Sequence, residues 1–216
     1  MIFAMLVSFV LAAAGPLAAV PRVQSYIVGS TYDFGEESWV TTESSFTYRA
    51  VGFWNPYSQP QPAYDEMRLY VVIGVPEGQT GRIWIDGVEI TGFSQAHPTD
   101  GFVNPPNPAL YSHEPMGFAD YQMHYLGTVN NQSGDAYHYD DALVLERGWG
   151  GQIDVSVTAE GFDWVHFDAV GVDLADNTYV NPYSHDASYH VPEPGTLSLL
   201  GVGLLGMVPI LRRKRH

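Results

Sequence analysis

The sequence predicts an all-β body, most simply two packed antiparallel sheets of sandwich or jelly-roll type. Three observations carry that expectation. Apolar residues alternate with period two in several short runs, a two-residue hairpin signal sits between two of them, and no body segment sustains a 3.6-residue period. The 22 Gly and 15 Pro of the 216 residues interrupt almost every window long enough for a helix.

Taken in order, the first strand candidates are Tyr26-Ile27-Val28, Ser38 to Thr41 and Phe46 to Val51. From Met67 to Val75 the apolar side chains Met67, Leu69, Val71, Ile73 and Val75 share one face, the pattern of a half-buried strand. Ile83-Trp84-Ile85 and Val88-Glu89-Ile90 flank Asp86-Gly87, which suits a type I′ turn because Gly accepts positive φ and Asp tolerates it. Gly92 to Ala119, rich in Pro and Gly, reads as a long loop. Leu143 to Glu146 is a further strand candidate, Ile153, Val155 and Val157 alternate with polar residues, and Trp164 to Val170 closes the series. No fixed-period repeat is visible, which disfavours a solenoid or propeller.

Charge is unevenly spread. The chain carries a net −15, yet four of its nine basic residues (Arg212, Arg213, Lys214 and Arg215) stand together at the end. Between Val20 and Val191 there are 23 acidic residues against five arginines and no lysine, a net of −18. Such a body repels phosphate backbones, so nucleic acid is excluded as a partner, and cations, neutral glycans or basic surfaces remain. Its richness in Tyr, Trp, Phe, Val and Ile excludes disorder. The absence of cysteine removes disulfides and thiol nucleophiles.

The two ends read as addresses. Residues 1–19, MIFAMLVSFVLAAAGPLAA, form an apolar run ending in small residues, as a signal peptide does, with cleavage by signal peptidase expected after Ala19. At the other end an extended Pro192-Glu193-Pro194 element, an apolar helix over 196–211 and the basic residues 212–216 follow in order. The Arg212, Arg213, Lys214 and Arg215 cluster is a stop-transfer signal held on the cytoplasmic side, which places the body outside. The apolar run Leu197 to Leu211 rises only about 22 Å as a helix, against a hydrocarbon core of about 30 Å, so it makes a weak anchor in the inner membrane. The expected organisation is signal peptide 1–19, ectodomain 20–184, linker 185–190 and tail 191–216.

This tripartite tail resembles the PEP-CTERM sorting signal of exported proteins in Gram-negative bacteria, also known as the ice-binding protein C-terminal domain. The resemblance implies processing by an exosortase, with Pro192, Glu193 and Pro194 matching the recognition motif; Pro209 near the end of the helix departs from it. No regular Thr-x-Thr array accompanies the tail, so the ice-binding label describes the tail and not an activity. The body resembles the choice-of-anchor N group of exported proteins in Ser30-Thr31-Tyr32-Asp33, Glu37-Ser38-Trp39-Val40 and the run Asn181 to Ala187. That resemblance implies an exchangeable anchor and supplies no catalytic residue.

Within the body, calcium is a possible cofactor: Asp140 with Asp141, and Asp173 with Asp176 and Asn177, offer the hard oxygens it takes, though no Asp-x-Asp-x-Asp-Gly loop exists. Imidazole and carboxylate come close at His113-Glu114, at His138 with Asp140 and Asp141, and at His185-Asp186 with His190, without a specific zinc spacing. Tyr137, Tyr139 and Trp149, with Tyr111, Tyr121, Tyr125 and Trp84, could stack on the sugar faces of an extracellular polysaccharide. No GxSxG, GxxxxGK[ST] or GxGxxG motif is present, and no carboxylate pair stands out as glycosidase machinery. The expectation is a non-catalytic structural or adhesive protein with no catalytic residues, its alternatives a calcium- or glycan-binding module and a matrix polysaccharide hydrolase.

Overall fold

The computed structural model describes residues 20–55, 64–95, 119–174, 178–180 and 186–191. The expected signal peptide, Ala19, the Pro192-Glu193-Pro194 element, the apolar helix and the basic cluster all lie outside the described residues. Among the described residues there is no helix, and so none long and apolar enough to cross a membrane.

The body is all-β, two sheets face to face. One runs β1 (Val20–Ile27), β4 (Ser45–Asn55), β10 (Leu145–Glu160), β6 (Arg82–Ile85) and β7 (Val88–Ile90), with β9 (Ala136–Tyr139) also paired to β10. The other runs β2 (Thr31–Asp33), β3 (Ser38–Thr41), β13 (Asp186–His190), β11 (Trp164–Asp173), β5 (Glu66–Pro76) and β8 (Ala119–Asn130), with β12 (Tyr179–Val180) paired to β11. The core fills the space between them. All five residues on the expected inner face of β5 (Met67, Leu69, Val71, Ile73 and Val75) lie in it, with Val155 and Val157 from β10 and Val165, Phe167 and Ala169 from β11. Asp86 at φ 48° and Gly87 at φ 78° make the β6–β7 turn with both central residues left-handed, as a type I′ turn requires.

Three differences from the sequence reading have physical causes. The second sheet is mixed, because β3 and β13 run parallel, Asp186 opposite Ser38. Parallel neighbours need a long crossover, and here nearly the whole body lies between them. Residues 185–190, read as a linker, contain β13, a five-residue strand paired on both sides and buried at four positions. Its sequence Asp-Ala-Ser-Tyr-His has too few apolar residues to announce burial. Lastly, Ala119–Asn130, where no strand is among the sequence candidates, forms β8, an edge strand that carries Tyr121 and Tyr125 and whose register against β5 shifts between Leu69 and Tyr70. A bulged edge strand carries weak period-two signal.

Arginine is scarce, and at least three of the five body arginines are spent on carboxylates. Arg49 makes a bidentate pair with Asp154 across β4 and β10 at 2.6 Å for both bonds, Arg147 meets Asp135 at 3.2 Å and Arg82 meets Glu89 at 3.8 Å. Such exposed pairs contribute little to stability but align neighbouring strands.

Gly150 fixes the centre of the first sheet. It lies opposite Phe53 with φ 149°, where a Cβ would collide with the Gly52 carbonyl oxygen and stand 2.7 Å from Phe53 Cα. Backbone cannot yield as a side-chain tip can. Gly150→Ala is therefore expected to lower unfolding free energy by about 3 kcal/mol, read from the urea midpoint of the full chain in mild detergent. An unchanged midpoint would contradict this register.

Candidate functional site

The sequence-predicted residues are scattered. Asp140 lies in the β9–β10 turn, where its Oδ1 accepts from the Ala142 N–H at 3.0 Å and the Val144 N–H at 2.7 Å, while Asp141 beside it is exposed. Those bonds employ Asp140 in holding a turn whose Leu143 takes φ 59°. Asp173 is buried at the end of β11, its backbone N–H donating to the Thr178 carbonyl at 2.9 Å, and Asp176 and Asn177 lie outside the described residues. His113, Glu114, His185 and Tyr111 lie outside them too. His190 is half exposed and ion-pairs with Glu36 at 3.0 Å.

The aromatic candidates divide. Tyr139 packs edge-on to Tyr26 with ring centroids 5.0 Å apart and against Trp39 at 4.5 Å, in a small cluster on the reverse face of the first sheet. Its backbone N–H and carbonyl are both bonded by the Gln24 side chain, at 2.6 and 3.0 Å. Tyr137 is half-buried with the Arg147 guanidinium 5.8 Å from its ring centroid, and Trp149 is half-buried opposite Trp54. Trp84 is half-buried on β6; Tyr125 is half-exposed on β8. Tyr139 is thereby engaged in packing, while Tyr137 and Trp149 are partly buried and Tyr125, half exposed, packs against Tyr70.

His138 is 1% exposed and stacks on Phe53 with ring centroids 4.3 Å apart. Burial pushes its imidazole below the ordinary value of 6.5, and Glu146, 3.6 Å from Nε2, only partly offsets this. With the folded pKa depressed, the unfolded chain binds more protons below pH 6.5, so the His138 contribution is present above that pH and is lost on acidification. His138→Phe keeps a ring on Phe53 and removes the titration. Its stability should fall less steeply than that of the unaltered chain between about pH 6.5 and 5, measured by urea unfolding across pH; equal slopes would count against it.

Among the described residues one group of three or more His, Asp or Glu side chains converges, and sequence reasoning had picked out only one of its members. His166 and Asp168 lie two apart on β11, on the face opposite Phe167 and Ala169, and so away from the main core. Asp186 and Ser188 come from the neighbouring β13, where Ser188 lies opposite His166. His166 Nε2 is 3.3 Å from Asp168 Oδ2 and 3.2 Å from Asp186 Oδ2, and all three residues are at most 5% exposed. On the far side of the ring Nδ1 is 3.0 Å from Ser188 Oγ, which accepts a hydrogen bond from Ser38 Oγ at 3.0 Å. Burial by itself lowers the imidazole pKa; the Asp168 carboxylate, then Asp186, overcome it and hold His166 well above its ordinary value.

The spacing His-Phe-Asp inside the expected strand Trp164 to Val170 was the available signal. A polar face on a half-buried strand ordinarily meets water, which is why the pair does not stand out. The Ser-His-Asp composition invites a hydrolase reading, yet Ser188 is 5% exposed and lies on an interior strand, where no polymer reaches its hydroxyl.

Immediately after this strand comes the sorting segment. Residues 190–215 match the model of the PEP-CTERM protein-sorting motif, which begins on the last residue of β13. That motif is a sorting signal of the kind an exosortase processes, and it supports an exported protein. No curated protein matches the chain. Among solved structures, the pilus backbone RrgB from Streptococcus pneumoniae is similar at 10% identity with a TM-score of 0.24, over 72% of this chain and 31% of that one. A likeness that faint carries nothing about function.

Proposed function

We propose that the protein is a non-catalytic component of the cell envelope or extracellular polysaccharide of a Gram-negative bacterium. In this reading it is held briefly in the inner membrane, cut by signal peptidase after Ala19 and by an exosortase at Pro192 to Pro194, and then displayed or released in a structural or adhesive role. The observation that carries it is a sorting motif at 190–215 that begins on His190, the last residue of the buried strand β13. An acidic body with no lysine suits a hydrated polysaccharide layer, in which mutual repulsion keeps the molecules soluble. The converging titratable group of the described residues is interior, which favours a structural role over hydrolysis.

The test is made in the producing organism. Mass spectrometry of the mature protein is expected to find a new N-terminus at Val20 and no peptide from the apolar segment onward. Pro192→Ala with Pro194→Ala should leave the tail attached and the protein in the membrane fraction. An intact C-terminus through His216 in unaltered cells would overturn the processing. Failure of the mature protein to co-sediment with the producer's own polysaccharide would remove the matrix role.

A further inference from the structure

The His166, Asp168 and Asp186 cluster has a geometry that an ion pair alone does not require. We propose that these three side chains form a buried site for a divalent transition-metal ion of the zinc type, which ties the last strand of the body to its central strand.

Distance is the first argument. Four-coordinate zinc holds nitrogen and oxygen at about 2.0–2.1 Å, so neighbouring ligand atoms stand about 3.3 Å apart. The Nε2 to carboxylate distances are 3.3 and 3.2 Å, and all three donor atoms lie within 4.8 Å of one another. By direction, however, Nε2 makes no aligned hydrogen bond, and Asp186 Oδ1 likewise lacks a partner. A hydrogen-bonded triad would align its donor with one acceptor. Here the ring edge instead faces the gap between two carboxylates, as it would with an ion there.

Orientation is the second. Nδ1 is engaged by Ser188, itself held by Ser38, which fixes the ring so that Nε2 points at the carboxylates. A second-sphere partner on the other ring nitrogen is the usual support of a metal-bound histidine. The third is charge. Even with the ring protonated, the two carboxylates leave the buried set at −1, which is costly; a divalent ion that displaces the Nε2 proton meets a neutral imidazole and two carboxylates and brings the sum to zero. One nitrogen with two carboxylate oxygens and no thiolate selects zinc and its neighbours over calcium and magnesium, which prefer oxygen alone.

The consequence is mechanical. His166 and Asp168 belong to β11, while Asp186 opens β13, the strand that runs into the sorting motif at residue 190. An ion shared between them would fasten that junction.

The experiment uses the full chain in mild detergent, stripped with a chelator and dialysed against zinc, calcium or magnesium chloride. The unaltered chain is expected to retain one equivalent of zinc at this site, with a melting midpoint raised by about 5–10 °C at hundredfold excess over the dissociation constant. Calcium and magnesium should leave the midpoint in place. Asp168→Asn and Asp186→Asn should each weaken zinc at least tenfold, and Ser188→Ala about tenfold through the ring. Should the Asn variants fail to fold, cobalt(II) in the unaltered chain still decides, since a four-coordinate site gives intense visible bands that Ser188→Ala should shift. A midpoint indifferent to zinc and chelator, zinc uptake undiminished in the variants, a response to calcium alone, or cobalt without those bands would each overturn the assignment.

Discussion

Strand β11 is the constraint on which the rest of the body depends. It is buried at nine of its ten positions, so both of its faces must be satisfied without water. The inner face does this with Val165, Phe167 and Ala169 in the main core. The outer face carries His166 and Asp168, which cannot be left buried without partners. Asp186, Ser188 and Ser38 supply them, and the demand for those partners accounts for the position of β13 and, through its parallel pairing, of β3.

A strand so placed changes what the end of the body is. Ala187 and Tyr189 of β13 enter the main core while Asp186 and Ser188 face the polar cluster, so the five-residue strand is used on both sides. The sorting motif therefore starts from an integral strand of the second sheet. Processing downstream of His190 removes none of the pairing that holds β13. The surface of the body, with at least three of its five arginines matched to carboxylates, presents the excess of negative charge.

The sequence made the inner faces legible because hydrophobic alternation is local. Met67 through Val75 and the Asp86-Gly87 turn need no knowledge of neighbours to be read. β8 and β13 were illegible for the opposite reason: the first is a bulged edge, and the second is buried by pairing with strands distant in the chain. The polar cluster shares that obscurity. His166 and Asp168 are two residues apart, but Asp186 joins them only through the β11–β13 register, and carboxylates chosen for proximity in sequence, such as Asp140, proved to be holding a turn. Tail and body differ in the same way, since a sorting signal is linear and must be readable as sequence.

The central claim is that β13 belongs to the folded body. Hydrogen exchange followed by mass spectrometry on the full chain tests it most directly. The account predicts that amides of Asp186–His190 are protected to the same extent as those of Trp164–Asp173, since strands that pair this way open together. Exchange of the Asp186–His190 amides as fast as that of an unstructured peptide, with β11 still protected, would contradict it.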